Sequence, residues 1–187
     1  MVNAFFIVGL PRTRSSWMSN FLTYKTSFCF HEAIRLCRNI DDMALLFDSV
    51  GEPNVGDADC RIIEFQADFR RMFPHAKWVY IKRDIKDVIH SLEKRFEFEE
   101  SYRDTDFCKN LQAKYEVFEK EYKPLTFNYD ELDKIEVCEK IWDYCIPDSP
   151  FSFRRWLQLD VLRVDPAETK MMKYHGKDAK RSVLDYI

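Results

Sequence analysis

Apolar residues fall in short runs that alternate with amphipathic stretches along the chain. Residues 4–8, Ala-Phe-Phe-Ile-Val, form a continuous apolar run that ends at Gly9. Such a run predicts a strand buried on both faces, as in a parallel sheet. Trp17, Met18, Phe21 and Leu22 then recur at helical spacing, so the chain opens as strand, loop, helix. Further strands are predicted over 27–31, 61–65, 77–82 and 125–129. Helices are predicted over 33–47, 67–73, 85–96, 104–122, 137–145 and 153–164. Residues 50–59 carry Gly51, Pro53, Gly56 and acids, and read as a loop. Strands separated by helices predict an α/β fold, three layers with a central parallel sheet of about five strands. No repeat, low-complexity segment or linker interrupts the pattern, so residues 1–187 read as one domain. Ligands in such sheets sit beyond the carboxyl ends of the strands. The segments following Val8, His31, Phe65, Lys82 and Tyr129 are therefore the places to look for chemistry.

Composition narrows this picture. A formal net charge of −3 provides no whole-molecule basic field, so neither nucleic acid nor a membrane surface is expected as a partner. Any anion site must be local. The six cysteines stand at 29, 37, 60, 108, 138 and 145, without C-x-x-C or zinc spacing, and read as reduced, mostly buried thiols. The first residues lack a basic segment and a long apolar run, and no stretch is long enough to span a bilayer. The expected compartment is the cytoplasm.

The first loop carries the strongest local chemistry. Its sequence is Gly9-Leu10-Pro11-Arg12-Thr13-Arg14-Ser15-Ser16-Trp17. Between a buried strand and a helix, successive backbone N–H groups converge on one spot and favour an anion there. Thr13, Ser15 and Ser16 add hydroxyls, and Arg12 and Arg14 add forked donors suited to phosphate oxygens. The nucleoside-triphosphate pattern G-x-x-x-x-G-K-[ST], laid on Gly9, requires glycine at position 14 and lysine at position 15. This chain has Arg14 and Ser15 there, which argues against an ATP or GTP phosphotransferase.

The order Pro11-Arg12-Thr13-Arg14-Ser15-Ser16-Trp17 resembles the 5′-phosphosulfate loop of sulfotransferases that use PAPS (3′-phosphoadenosine-5′-phosphosulfate). Arg14 departs from the usual glycine of that loop, and either adds a phosphate contact or narrows the loop. A second stretch, Trp78-Val79-Tyr80-Ile81-Lys82-Arg83-Asp84-Ile85-Lys86-Asp87-Val88-Ile89-His90-Ser91-Leu92, resembles the family's 3′-phosphate motif, with Ser91 eight positions after Arg83. The resemblance implies that Arg83 and Ser91 clamp a 3′-phosphate that ATP lacks. A third stretch, Leu125-Thr126-Phe127-Asn128-Tyr129-Asp130-Glu131-Leu132, resembles the family's last strand and turn, which puts Tyr129 either near the adenine or in the core. The resemblance spans residues 5–147 and implies a fold of the P-loop kinase and sulfotransferase type.

What it implies for chemistry is less uniform. Arg12 takes the place of the family's leaving-group cation, supported by Thr13, Ser15 and Ser16, and no metal is required. Residues 61–66, aligned with the third strand and the histidine that serves cytosolic members as base, put Gln66 at that histidine, and glutamine cannot take a proton. Other branches use a glutamate after the second strand, where this chain has His31 and Glu32; Glu32 is the first choice of base and His31 the second. The basic segment over 174–181 is either a cofactor lid or a solvated tail. His75 and His90 read as surface or structural residues. The expected activity is sulfuryl transfer from PAPS, leaving PAP (3′-phosphoadenosine-5′-phosphate), to a hydroxyl or amine of a small-molecule or glycan acceptor, by a monomer or weak homodimer. Two alternatives stand beside it: a PAPS- or PAP-binding module without activity, and a small-molecule kinase on the same fold.

Overall fold

A computed structural model describes residues 2–95 and 105–161. Five parallel strands form one sheet: β1 (Asn3–Gly9), β2 (Ser27–His31), β3 (Asn54–Ala58), β4 (Lys77–Lys82) and β5 (Leu125–Asn128). Their order is β2-β3-β1-β4-β5, so β1 is central and the loop that follows it emerges between β3 and β4. Among the described residues the helices are α1 (Ser15–Phe21), α2 (Asp42–Val50), α3 (Gln66–Met72), α4 (Ile85–Arg95), α5 (Thr105–Tyr122), α6 (Ile135–Cys145) and α7 (Phe153–Val161).

Side chains alternate across a strand, and β1 shows how that builds two cores. Phe6 and Val8 point into a cluster with Phe47, Phe69, Trp78 and Phe118. Phe5 and Ile7 point the other way, onto Met18, Phe21, Ile141 and Trp142. Helices therefore cover both faces, and the architecture is the three-layer α/β fold expected. Aromatic rings carry much of the packing; Phe6 alone lies 4.7 Å from Trp78 and 5.0 Å from Phe69 between centroids. No helix among the described residues is long and apolar enough to cross a membrane. The six cysteines, all among the described residues, form no disulfide with one another.

The number of strands is as predicted, but one of them is misplaced in the sequence reading. The third strand is Asn54–Ala58, inside the expected loop, and the expected strand over 61–65 is a 3-10 turn, Ile62–Phe65, leading into α3. Gly56, which reads as a loop signal, is a packing requirement. A Cβ there would lie 2.2 Å from the Phe5 ring. Asn54 satisfies its side chain inside the structure, donating to the Thr26 carbonyl at 3.1 Å and to Asp148 at 2.5 Å.

The helix expected over 33–47 is also broken. Glu32 enters the left-handed region at φ 59°, a single 3-10 turn follows over Ala33–Leu36, and Cys37 is extended. The chain restarts as α2, where Asn39 accepts the Asp42 N–H at 3.1 Å. At the carboxyl edge β5 stops at Asn128, and Tyr129 opens a 3-10 turn closed by a reciprocal cap between Asn128 and Glu131. The expected ends of α4 at residue 96, α5 at 104 and α7 at 164 lie outside the described residues, as does the basic segment over 174–181.

Substituting Gly56→Ala is expected to destabilise the fold by about 1–3 kcal/mol, the usual penalty for overpacking a close-packed core. Chemical denaturation measures it. The loss should shrink when Phe5→Leu is added, because the ring that clashes is then gone.

Candidate functional site

Gly9 ends β1 where no side chain fits: a Cβ would stand 2.5 Å from the Ile81 carbonyl and 3.0 Å from Thr13 Oγ1. Its N–H donates to the Tyr115 hydroxyl at 3.0 Å, and that hydroxyl donates to the Cys60 carbonyl at 2.8 Å. One phenol of α5 thus ties the end of β1 to the segment after β3. Thr13 is buried and donates to the Leu10 carbonyl at 2.8 Å, closing the loop on itself. Arg12 and Arg14 both take positive φ, 67° and 62°, the region that costs a side chain about 1–2 kcal/mol. Arg14 therefore holds the conformation that a glycine would adopt at this point. It also occupies the N-cap position of α1, without a side-chain capping hydrogen bond among the described residues.

Arg12 is the hub of the loop. Its Nε donates to Ser91 Oγ at 3.1 Å, and its carbonyl accepts a hydrogen bond from Nη1 of Arg83. The two residues expected to form a clamp at the end of β4 therefore meet the loop at a single residue. Arg83 Nε is buried with no hydrogen-bond partner among the described residues. The Arg83 guanidinium lies 4.0 Å from the Tyr129 ring centroid, and that of Arg14 lies 5.1 Å from it. Arg14 also pairs with Asp133 at 2.5 Å, which fastens the turn after β5 over the loop. The neighbouring Lys82 is taken up elsewhere, paired with Glu119 at 2.9 Å.

The serines face the other way. Ser15 Oγ and Ser16 Oγ lie 2.9 and 3.1 Å from the same atom, His31 Nε2. His31 ends β2, and Glu32 Oε1 lies 3.9 Å from that nitrogen. Glu32 pairs with Arg35 at 2.9 Å, and its N–H donates to the Ala58 carbonyl at 3.3 Å. The fold thus brings Arg12, Thr13, Arg14, Ser15, Ser16, His31, Glu32, Arg83, Ser91 and Tyr129 around one loop, with Pro11 half-buried within it. Trp17 stands apart from this group. Its Nε1 donates to the Leu159 carbonyl at 3.3 Å and its ring stacks on Phe21, so the indole packs α1 against α7.

With β3 at Asn54–Ala58, the residue that directly follows the third strand is Asp59, and Gln66 lies at the start of α3. Asp59 was not a candidate in the sequence, because its strand reads as a loop. It is 1% exposed, its N–H donates to the Ile7 carbonyl at 3.2 Å, and its Oδ1 accepts the Arg61 N–H at 2.8 Å. Burial, aided by the charge of Glu32, pushes its carboxyl up to about 6 against the Arg61 N–H and the charges of Arg35 and Arg61. Burial likewise raises Asp57, although both its oxygens accept the Ala33 N–H at 3.1 Å.

A carboxyl raised in the folded state stabilises the protein fully below its unfolded value of about 4 and loses that contribution as pH rises through its folded value. Asp59→Asn removes this dependence while leaving an oxygen for the Arg61 N–H. The stability of the variant relative to the parent should therefore increase between pH 4.5 and pH 7.5, on the order of 1–3 kcal/mol. Urea denaturation at the two pH values tests it; a difference that stays flat contradicts the assignment.

No protein-family model matches the chain, and no curated protein matches it in sequence. Solved structures do match. The crystal structure of a sulfotransferase from Alicyclobacillus acidocaldarius is similar over 98% of this chain and 95% of its own, with a TM-score of 0.57 at 18% sequence identity. Likeness at that level of identity fixes the fold, and the fold is that of a sulfotransferase.

Proposed function

We propose that the chain is a PAPS-dependent sulfotransferase acting on a hydroxyl or amine of a small-molecule or glycan acceptor. The observation that carries the reading is the convergence of Arg83 and Ser91 on Arg12 of the loop, with one guanidinium nitrogen of Arg83 buried and without a partner among the described residues. A buried N–H without a partner costs about 1–3 kcal/mol, and a phosphate oxygen would repay it. On this reading the nucleotide's 5′ group lies on the loop and its 3′ group at Arg83 and Ser91.

On this reading Arg12, Thr13, Ser15 and Ser16 hold the phosphosulfate. Arg12 neutralises the charge that develops on the leaving phosphate, and fixed, prepositioned charge supplies much of the rate in the related phosphoryl transfers. Arg14 holds the Tyr129 turn against the loop, and Tyr129 offers a ring for the adenine. The acceptor's proton goes to Glu32, with His31 between Glu32 and the loop serines; His31 is the second candidate for the same step. No step in this scheme needs a metal ion. The protein is expected in the cytoplasm.

A thermal-shift comparison of PAP, AMP and ATP with Mg²⁺ tests the reading. PAP should raise the melting temperature most. Arg83→Ala should weaken PAP by roughly 10- to 100-fold, the value of one or two charge-assisted hydrogen bonds, and AMP by much less. Equal losses for the two ligands refute the 3′ clamp. Stabilisation by ATP with Mg²⁺ but not by PAP would favour the kinase, and PAP binding without transfer to any acceptor would favour the binding module.

A further inference from the structure

The loop serines and the buried end of β3 are joined by a short row of polar groups. Ser15 and Ser16 meet His31 at 2.9 and 3.1 Å, and His31 meets Glu32 at 3.9 Å. The backbone of Glu32 is bonded to Ala58, the residue before Asp59. The backbone of Asp59 is bonded to Ile7, two residues before Gly9. Asp59 therefore lies between the end of β2 and the start of the loop. Its Oδ1 has a donor, but its Oδ2 is buried with no hydrogen-bond partner among the described residues.

We propose that Asp59 is a positioning residue of the anion loop: it takes up a proton on Oδ2 when an anion settles on Ser15 and Ser16, and so leaves Glu32 ionised. This rests on the reading of the loop as an anion site, not on the identity of the nucleotide. The proton comes from solvent and forms one O–H bond; no other bond changes. It goes to Asp59 because Oδ2 is the bare oxygen, whereas Glu32 is already paired with Arg35. The groups facing Asp59 set the balance. Burial and then Glu32 from the end of β2 favour the protonated form, while the Arg61 N–H and the charges of Arg35 and Arg61 oppose it; the charge of Asp59 in turn raises the neighbouring Asp57 on β3. Cys60 and Tyr115 both feel the charge of Asp59, which raises their own proton affinities. An added anion strengthens the first set. Keeping Glu32 charged preserves it as an acceptor for the proton of an incoming hydroxyl or amine.

The test uses inorganic sulfate, which takes up no proton in this range, with affinity read from the amide shifts of residues 9, 10 and 12–16 by NMR at pH 5.5, 6.5 and 7.5. In the parent, sulfate affinity should fall about threefold to tenfold across that range, as linked uptake of part of a proton requires. Asp59→Asn should lose at least half of that slope. If its fold is disturbed, Glu32→Gln provides the second reading, because removing the paired charge should move the slope to lower pH. A parent affinity that does not change with pH, a full slope retained in Asp59→Asn, or no shift of the loop amides at any sulfate concentration overturns the proposal. A retained slope in the parent, lost in Asp59→Asn, with PAP failing to displace sulfate, would refute the nucleotide reading and leave this inference standing.

Discussion

The site depends on how closely β1 passes its neighbour at Gly9. With the Ile81 carbonyl 2.5 Å from where a Cβ would stand, only glycine lets β1 lie flush against β4 and turn at once. The turn brings Thr13 back to the Leu10 carbonyl and sets the Arg12 backbone within reach of Arg83. Tyr115 then fixes the same point from the other layer, with its single hydroxyl satisfying both Gly9 and Cys60. Burial holds that phenol well above its ordinary proton affinity, so it stays a neutral bridge. A loop of two arginines in left-handed conformation needs such anchoring, because strained backbone persists only where the surroundings over-determine it.

Much of this is legible in the sequence. The apolar run before Gly9, the hydroxyl-rich loop and the eight-residue spacing from Arg83 to Ser91 locate two sides of the site, and the structure brings them together at Arg12. The third side is hidden for a physical reason. Asn54, Gly56 and Asp57 are poor strand formers by composition, and β3 forms because it lies between two partners that supply its ladder hydrogen bonds. Its polar residues are satisfied by distant groups: Asp148 for Asn54, and the Ala33 N–H for Asp57. No local pattern records those partners. Moving the strand moves the residue that follows it, and with it the position where a proton acceptor was sought and only Gln66 was found.

Two charge sets of opposite sign share this end of the sheet. Arg12, Arg14 and Arg83 gather on the β4 and β5 side, where the Tyr129 ring lies against two of the guanidinium groups. Glu32 and Asp59 gather on the β2 and β3 side, beside Asp57, whose carboxyl is held towards its neutral form by burial. His31 and the two loop serines lie on the boundary. An anion placed on the loop would thus be attracted from one side and repelled from the other.

Every carboxylate that stays charged on that side would oppose an anion on the loop. Two like charges 4 to 8 Å apart repel by about 2–4 kcal/mol at the effective dielectric of a protein surface. Protonating a carboxyl poised near 6 costs only about 1.4 kcal/mol at pH 7. On the proposal made for Asp59, its neutralisation is the cheaper response to an arriving anion, and burial has already brought the group close to that point. The same burial that makes Asp59 a liability for folding makes it responsive at the loop. On the proposed reading Glu32, with more exposure and an arginine partner, is left to carry the charge that a proton acceptor needs.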